Sequence, residues 1–159
     1  MTVRLREFSH EDRLSIGREV SKRILDKYGG NVLAIFIWAS TAKKLDRPYS
    51  DLEVGAVLRD GVEIPAKSYL YKGLLVEIDY LQESDFLKKA RKVNANWPIE
   101  ADQYRNRLVL FERDGWTRKL EEAVQESERA DFSAALHHAT MAVTESLASL
   151  RNAKIVDAK

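Results

Sequence analysis

Seven apolar residues stand in a row at Val32-Leu-Ala-Ile-Phe-Ile-Trp38, closed by Gly29-Gly30 on one side and by Ala39-Ser40-Thr41 on the other. The run is too short for a buried helix and has no wet face. It reads as a strand over 31–38 that must be covered on both sides. The rest of the chain has to supply the covering layers and the neighbouring strands.

Upstream, Leu14, Gly17, Val20, Ile24 and Tyr28 recur at helical spacing, so residues 11–28 are predicted to be an amphipathic helix. Ser9 and Asp12 mark its start, and Gly29-Gly30 its end. Residues 39–50 read as a loop, with Pro48 forbidding a regular continuation. Asp51–Leu58 reads as the next strand. Leu52, Val54 and Ala56 share one face, and Asp51 and Glu53 share the other. After the turn at Arg59-Asp-Gly61, residues 68–71 and 74–81 form a predicted hairpin across Lys72-Gly73. Its second arm puts Val76, Ile78 and Tyr80 on one face and Glu77 with Asp79 on the opposite one. A helix over 83–93, a break at Pro98, a short strand at 108–111, a turn at Asp114-Gly115 and helices over 116–128 and 131–152 complete the reading. A helix, a mixed sheet and then more helices give an α/β (α+β) class. The expected division is a sheet-bearing domain over 1–112 and a helical segment over 113–159.

Composition narrows the chemistry. The 159 residues contain no cysteine, which excludes disulfides, thiolate nucleophiles and cysteine metal sites. A formal net charge of +1 gives no bulk attraction for nucleic acid. The charged start, Met1-Thr-Val-Arg-Leu-Arg-Glu7, lacks the apolar core of a signal peptide, and no run is long enough to span a bilayer. The expected setting is the cytoplasm, with no membrane partner.

The acids are the pointed feature. Asp51 and Glu53 lie two apart on one strand, and Glu77 lies on a neighbouring-strand candidate. Acids on a sheet surface are common, but three converging acids suit a hard divalent cation such as Mg²⁺, which takes a few carboxylates plus substrate phosphates. The preceding loop offers hydroxyls at Ser40 and Thr41, small residues at Ala39 and Ala42, and cations at Lys43, Lys44 and Arg47. Alone this is a solvated basic loop. Beside the acids it can cradle phosphates. Trp97, Trp116 and Phe111 are read as core or interface aromatics, core being the commoner fate.

Taken together, the strand, Ser40 and Asp51-Leu-Glu53 resemble the signature of the DNA polymerase beta-like nucleotidyltransferase superfamily. Arg23-Ile-Leu-Asp-Lys-Tyr-Gly29, Pro48-Tyr-Ser-Asp-Leu-Glu53, Val76-Glu-Ile-Asp-Tyr80, Asn96-Trp-Pro98 and Arg151-Asn152 resemble, in the same order, the kanamycin (aminoglycoside) nucleotidyltransferases. The resemblance implies transfer of a nucleoside monophosphate from a Mg-nucleoside triphosphate, ATP being the expected one, to a hydroxyl acceptor, with release of pyrophosphate. It also implies a homodimer whose subunits jointly build each site. Asp51, Glu53 and Glu77 would be metal ligands, with Asp51 and Glu53 counted among the catalytic groups. Ser40, Thr41, Lys43 and Lys44 would bind nucleotide, and Glu145 would be the general base. By spacing alone Glu145 is an exposed glutamate, lying with His138, Met141, Ser149 and Asn152 opposite an apolar stripe of Phe132, Leu136, Val143 and Leu150. His137 and His138 point apart and make no metal site.

The chain departs from the pattern at Ala39 and Ala42, where the family has glycines, and at Leu75 and Ser149, where it has basic residues. It stops soon after Arg151-Asn152, where the family's helical domain continues. These departures keep open a second expectation, a non-catalytic relative that binds a nucleotide or a partner protein.

Overall fold

The computed structural model describes residues 6–157; the first five residues of the charged amino-terminal stretch lie outside that range. Among the described residues five strands, β1 (Val32–Ile37), β2 (Leu52–Leu58), β3 (Lys67–Tyr71), β4 (Leu74–Gln82) and β5 (Leu108–Glu112), form one sheet in the order β3-β4-β2-β1-β5. Helix α1 (His10–Tyr28) covers one face, and α3 (Glu83–Arg91), α4 (Trp97–Arg105) and α5 (Trp116–Ser127) pack into the cluster on the other. Among the described residues no helix is long and apolar enough to cross a membrane.

Helix α1 spans His10–Tyr28 and begins with a capping box: Ser9 Oγ accepts from the Asp12 amide, and the Asp12 carboxylate accepts from the Ser9 amide. It ends at Gly29, whose φ of 53° is a conformation glycine adopts without strain. Strand β1, Val32–Ile37, is buried along its whole length. A register irregularity between Val32 and Ala34 lets Val32, Ile35 and Ile37 face α1, while Ala34 and Phe36 face the other layer. β2, Leu52–Leu58, runs antiparallel to β1.

The predicted hairpin is present as β3, Lys67–Tyr71, and β4, Leu74–Gln82. Lys72 and Gly73 both take positive φ, 54° and 94°, as a two-residue turn of the primed kind requires. Because β3 lies at the sheet edge beyond β4, the hairpin returns β4 parallel to β2. β5, Leu108–Glu112, closes the other edge against β1.

Three expectations are corrected. The loop over 39–50 opens with a single helical turn, α2, Ala39–Ala42. Pro98 does not break the chain: it sits in the first turn of α4, Trp97–Arg105. There a missing N–H costs nothing and the fixed φ favours the helix, so the proline starts the element it was read as ending. The last helix, α6, runs from Ser133 to Asp157, and its apolar stripe is bare, with Leu136 69% exposed and Val143, Leu147 and Leu150 also exposed. Among the described residues of α6 only Ala135 is buried.

The remaining helices are α3, Glu83–Arg91, and α5, Trp116–Ser127. They pack against the sheet through an aromatic cluster in which Phe36, Phe86 and Trp116 stack with centroids 5.9 Å apart. Trp97 stacks on Tyr104 at 5.6 Å, and both are buried. Trp97 and Trp116 are core, while Phe111 is half-buried against the α1 side.

Candidate active site

The parallel register of β2 and β4 places Glu53 opposite Glu77 and Gly55 opposite Asp79. Directly paired residues point to the same face, so Glu53, Glu77 and Asp79 project together from the α3–α5 side of the sheet. Asp51 precedes the first residue of β2. Glycine is required at 55: a Cβ there would stand 2.7 Å from ring atoms of both Phe36 and Trp38. That vacancy lets the Trp38 indole lie across β2 beside the acids.

The charge balance is unfavourable without a cation. Burial, then the carboxylates of Asp51, Glu77 and Asp79, push the Glu53 carboxyl above its ordinary range, and Lys43 opposes the shift. All four groups are hard oxygen donors, the type a divalent cation such as Mg²⁺ prefers. Among the described residues no three acidic or imidazole side chains are already gathered to hold a metal. By donor type alone the carboxylates suit a cation that takes a few of them and completes its shell with water and substrate oxygens.

The turn at α2 reaches the same edge. The Trp38 amide donates to the Glu53 carbonyl at 3.3 Å, tying the end of β1 to the start of β2. Ala39 then takes φ 53°, a left-handed conformation that costs a non-glycine residue about 1–2 kcal/mol. The methyl at this position is thus strained as well as close to the site. Ala39→Gly should raise stability by roughly 0.5–1 kcal/mol, the released strain exceeding the added chain entropy, as a thermal melt would show.

Ser40 is half-buried beside this edge. Thr41 is buried, and its Oγ1 has no hydrogen-bond partner among the described residues. Lys43 Nζ donates to Asp102 Oδ2 of α4 at 2.7 Å, and this contact, more than any other, holds the Asp102 carboxyl below its usual range. Lys44, at φ 56°, faces away and lines a separate cleft of about 400 Å³ with His10, Asp46 and Arg47. Between the sheet and α4 lies a second cleft of about 270 Å³, bounded by Trp38, Ala39, Glu53 and Asp79 and by Ile99, Glu100, Asp102 and Gln103. Glu145 is exposed on α6 and makes no hydrogen bond or ion pair among the described residues.

Asp79 and the α4 wall are additions to the sequence-derived site. Asp79 was legible as a face-mate of Glu77 but not as a neighbour of Glu53, because strand pairing is not written in either strand. The α4 residues were hidden by the reading of Pro98. Lys43 is the one basic group of the loop that both acts on Glu53 and carries an acidic partner. Asp102→Asn should free Lys43 for an anion and tighten binding of inorganic tripolyphosphate by about two- to fivefold, the range open to a partly exposed pair. Titration calorimetry would measure it.

Aminoglycoside nucleotidyltransferase (4′) from Staphylococcus aureus and that from Bacillus sp are each 29% identical to this chain over 128 residues, 80% of this chain and 51% of theirs. The chain thus spans about half the length of the curated relatives it matches. The crystal structure of a nucleotidyltransferase-like protein from Exiguobacterium sibiricum 255-15 superposes with a TM-score of 0.50 at 18% identity, over 68% of this chain and 38% of that one. No protein-family model matches the chain.

Proposed function

We propose that this chain, a distant homologue of the aminoglycoside nucleotidyltransferases with a nucleotidyltransferase fold, transfers a nucleoside monophosphate from a nucleoside triphosphate to a hydroxyl acceptor. The observation that carries this reading is a juxtaposition. The parallel β2–β4 register sets Glu53 beside Glu77 and Asp79, and the Trp38–Glu53 backbone bond brings Ala39 and Ser40 to the same edge.

In this reading Asp51, Glu53 and Glu77 hold Mg²⁺, and Asp79 adds to their field. When bound, the metal supplies charge neutralisation of the triphosphate and of the developing leaving group. Ser40 and Lys43 hold the phosphates, with Lys43 exchanging Asp102 for them. Thr41 supports the turn from inside, and Lys44 acts on the approach of the polyanion. The acceptor oxygen bonds to the α-phosphorus, the bond to the bridging oxygen of the β-phosphate breaks, and pyrophosphate leaves. Glu145 of the partner subunit takes the hydroxyl proton, and the bare apolar stripe of α6 supports such an assembly of two copies. ATP is the expected donor, and the setting is cytoplasmic.

A non-catalytic nucleotide-binding relative is the second reading, favoured by the strained Ala39 methyl beside the site. Incubation with Mg²⁺ and each labelled nucleoside triphosphate, with aminoglycosides and a metabolite extract as acceptors, separates the two. Pyrophosphate release with label transfer is expected. Metal-dependent nucleotide binding without transfer would favour the second reading, and absence of nucleotide binding would overturn both.

A further inference from the structure

The segment between α2 and β2 has no regular structure of its own, yet it delivers Asp51 to the sheet. What holds it is an arginine on α1. Arg13 is 0% exposed, and its guanidinium is spent almost entirely on backbone carbonyls. Nε donates to Ser50 O at 3.1 Å, and Nη2 donates to Arg47 O at 2.6 Å, Pro48 O at 3.1 Å and Ser50 O at 2.8 Å. Nη1 donates to Phe8 O at 2.8 Å, Ser9 O at 3.3 Å and Asp46 Oδ2 at 3.2 Å. The Asp46 side chain is 3% exposed, and its other oxygen meets His10 Nδ1 at 2.8 Å. The Phe8 amide donates to Pro48 O at 2.9 Å, and the Ser50 amide donates to Arg47 O at 2.9 Å. Every strand of this clasp ends on α1, on its lead-in residues, or on residues 46–50.

We infer that Arg13 is a positioning residue for the acidic site: it fixes residues 46–50 and so sets where Asp51 enters β2. The role given to Asp51 rests on the function proposed above; the clasp itself does not. Two features separate this from ordinary packing. The guanidinium grips Ser50, the residue that immediately precedes Asp51, through two of its nitrogens. Its planar fork also reaches Phe8 on one side and Arg47 and Ser50 on the other, a span that a lysine ammonium, a point donor, cannot make. Arg13→Lys therefore keeps the charge and loses the geometry.

The test uses the full chain with Arg13→Lys, read by amide hydrogen exchange and by Mn²⁺ binding followed by electron paramagnetic resonance. Expected are exchange at Arg47 and Ser50 faster by about tenfold or more, little change in the β1 amides, and Mn²⁺ affinity lower by about 10–100-fold, the usual reach of groups that orient metal ligands. Where the wild type turns over, Arg13→Lys should lower kcat and leave nucleotide KM nearly unchanged. Faster exchange spread evenly over β1 and the 46–50 segment would overturn the inference, as would loosened 46–50 amides with unchanged Mn²⁺ affinity. Should Arg13→Lys fail to fold, Asp46→Asn, which removes one anchor and leaves the carbonyl contacts, is judged by the same two readouts with the same signs. If wild-type protein binds no Mn²⁺, the metal reading falls by itself, and the clasp is then decided by whether exchange loosens at 46–50 alone.

Discussion

Glu53→Gln is expected to lower turnover by about 100-fold or more while making the metal-free protein more stable. The two effects share one cause. In the folded chain Glu53 is held above the ordinary glutamate value of 4.5 by burial and by Asp51, Glu77 and Asp79. A group with a raised folded pKa contributes stability that is fully present below its unfolded value and is lost as pH rises through the folded one. Metal-free wild-type protein should therefore lose stability as pH climbs upward from about 4.5, and Glu53→Gln should flatten that part of the profile. A cation that neutralises the cluster removes the repulsion. Mg²⁺ should accordingly raise the melting temperature of the wild type near pH 7 and act far less on the variant. The activity loss follows because a bound divalent ion supplies several kcal/mol at the transition state, and each 1.36 kcal/mol is tenfold in rate. Melts with Mg²⁺ or EDTA across pH, beside label transfer, check both halves. A variant that is inactive but no more stable without metal would show that the acids do not strain the fold.

The acids of the proposed site repel one another in the folded chain, and such a feature is only partly legible in a sequence. The central strand could be read because seven apolar residues admit no wet face, and all of Val32–Ile37 is buried. The hairpin could be read because Lys72-Gly73 is chemistry for a turn with two positive φ values. Asp51, Glu53 and Glu77 could be singled out because alternation assigns faces, but what sits beside what depends on β4 returning parallel to β2, a long-range choice. α4 was missed because a proline has opposite meanings in the first turn and the interior of a helix. Arg13 was missed because arginine is counted as polar in a periodicity argument. Its position, one turn before Ile16 and Gly17 and in line with Val20 and Ile24 on the buried side of α1, was the available signal. The bare stripe of α6 was predicted as a stripe, but spacing says nothing about what covers it.

The layer over the acids depends on one cluster, and Trp116→Ala is expected to cost about 3–5 kcal/mol. Trp116 is 1% exposed, stacks on both Phe36 and Phe86 at 5.9 Å, and opens α5. Removing the indole leaves a void between the sheet and two helices that cannot all move inward together, so a large part of the cavity should persist. For a chain of this length the loss corresponds to a melting temperature lower by roughly 6–20 °C. Trp116→Phe should behave differently. Among the described residues the Trp116 Nε1 is buried without an acceptor, an omission worth about 1–3 kcal/mol against the folded state. Phenylalanine keeps a ring against Phe36 and Phe86 and deletes that orphan donor, so lost volume and relieved desolvation should nearly cancel, to within about 1 kcal/mol. Chemical denaturation of both variants, fitted for slope as well as midpoint, tests the argument. A Phe variant as damaged as the Ala variant would mean that the N–H is satisfied in solution and that the indole is held by more than its shape.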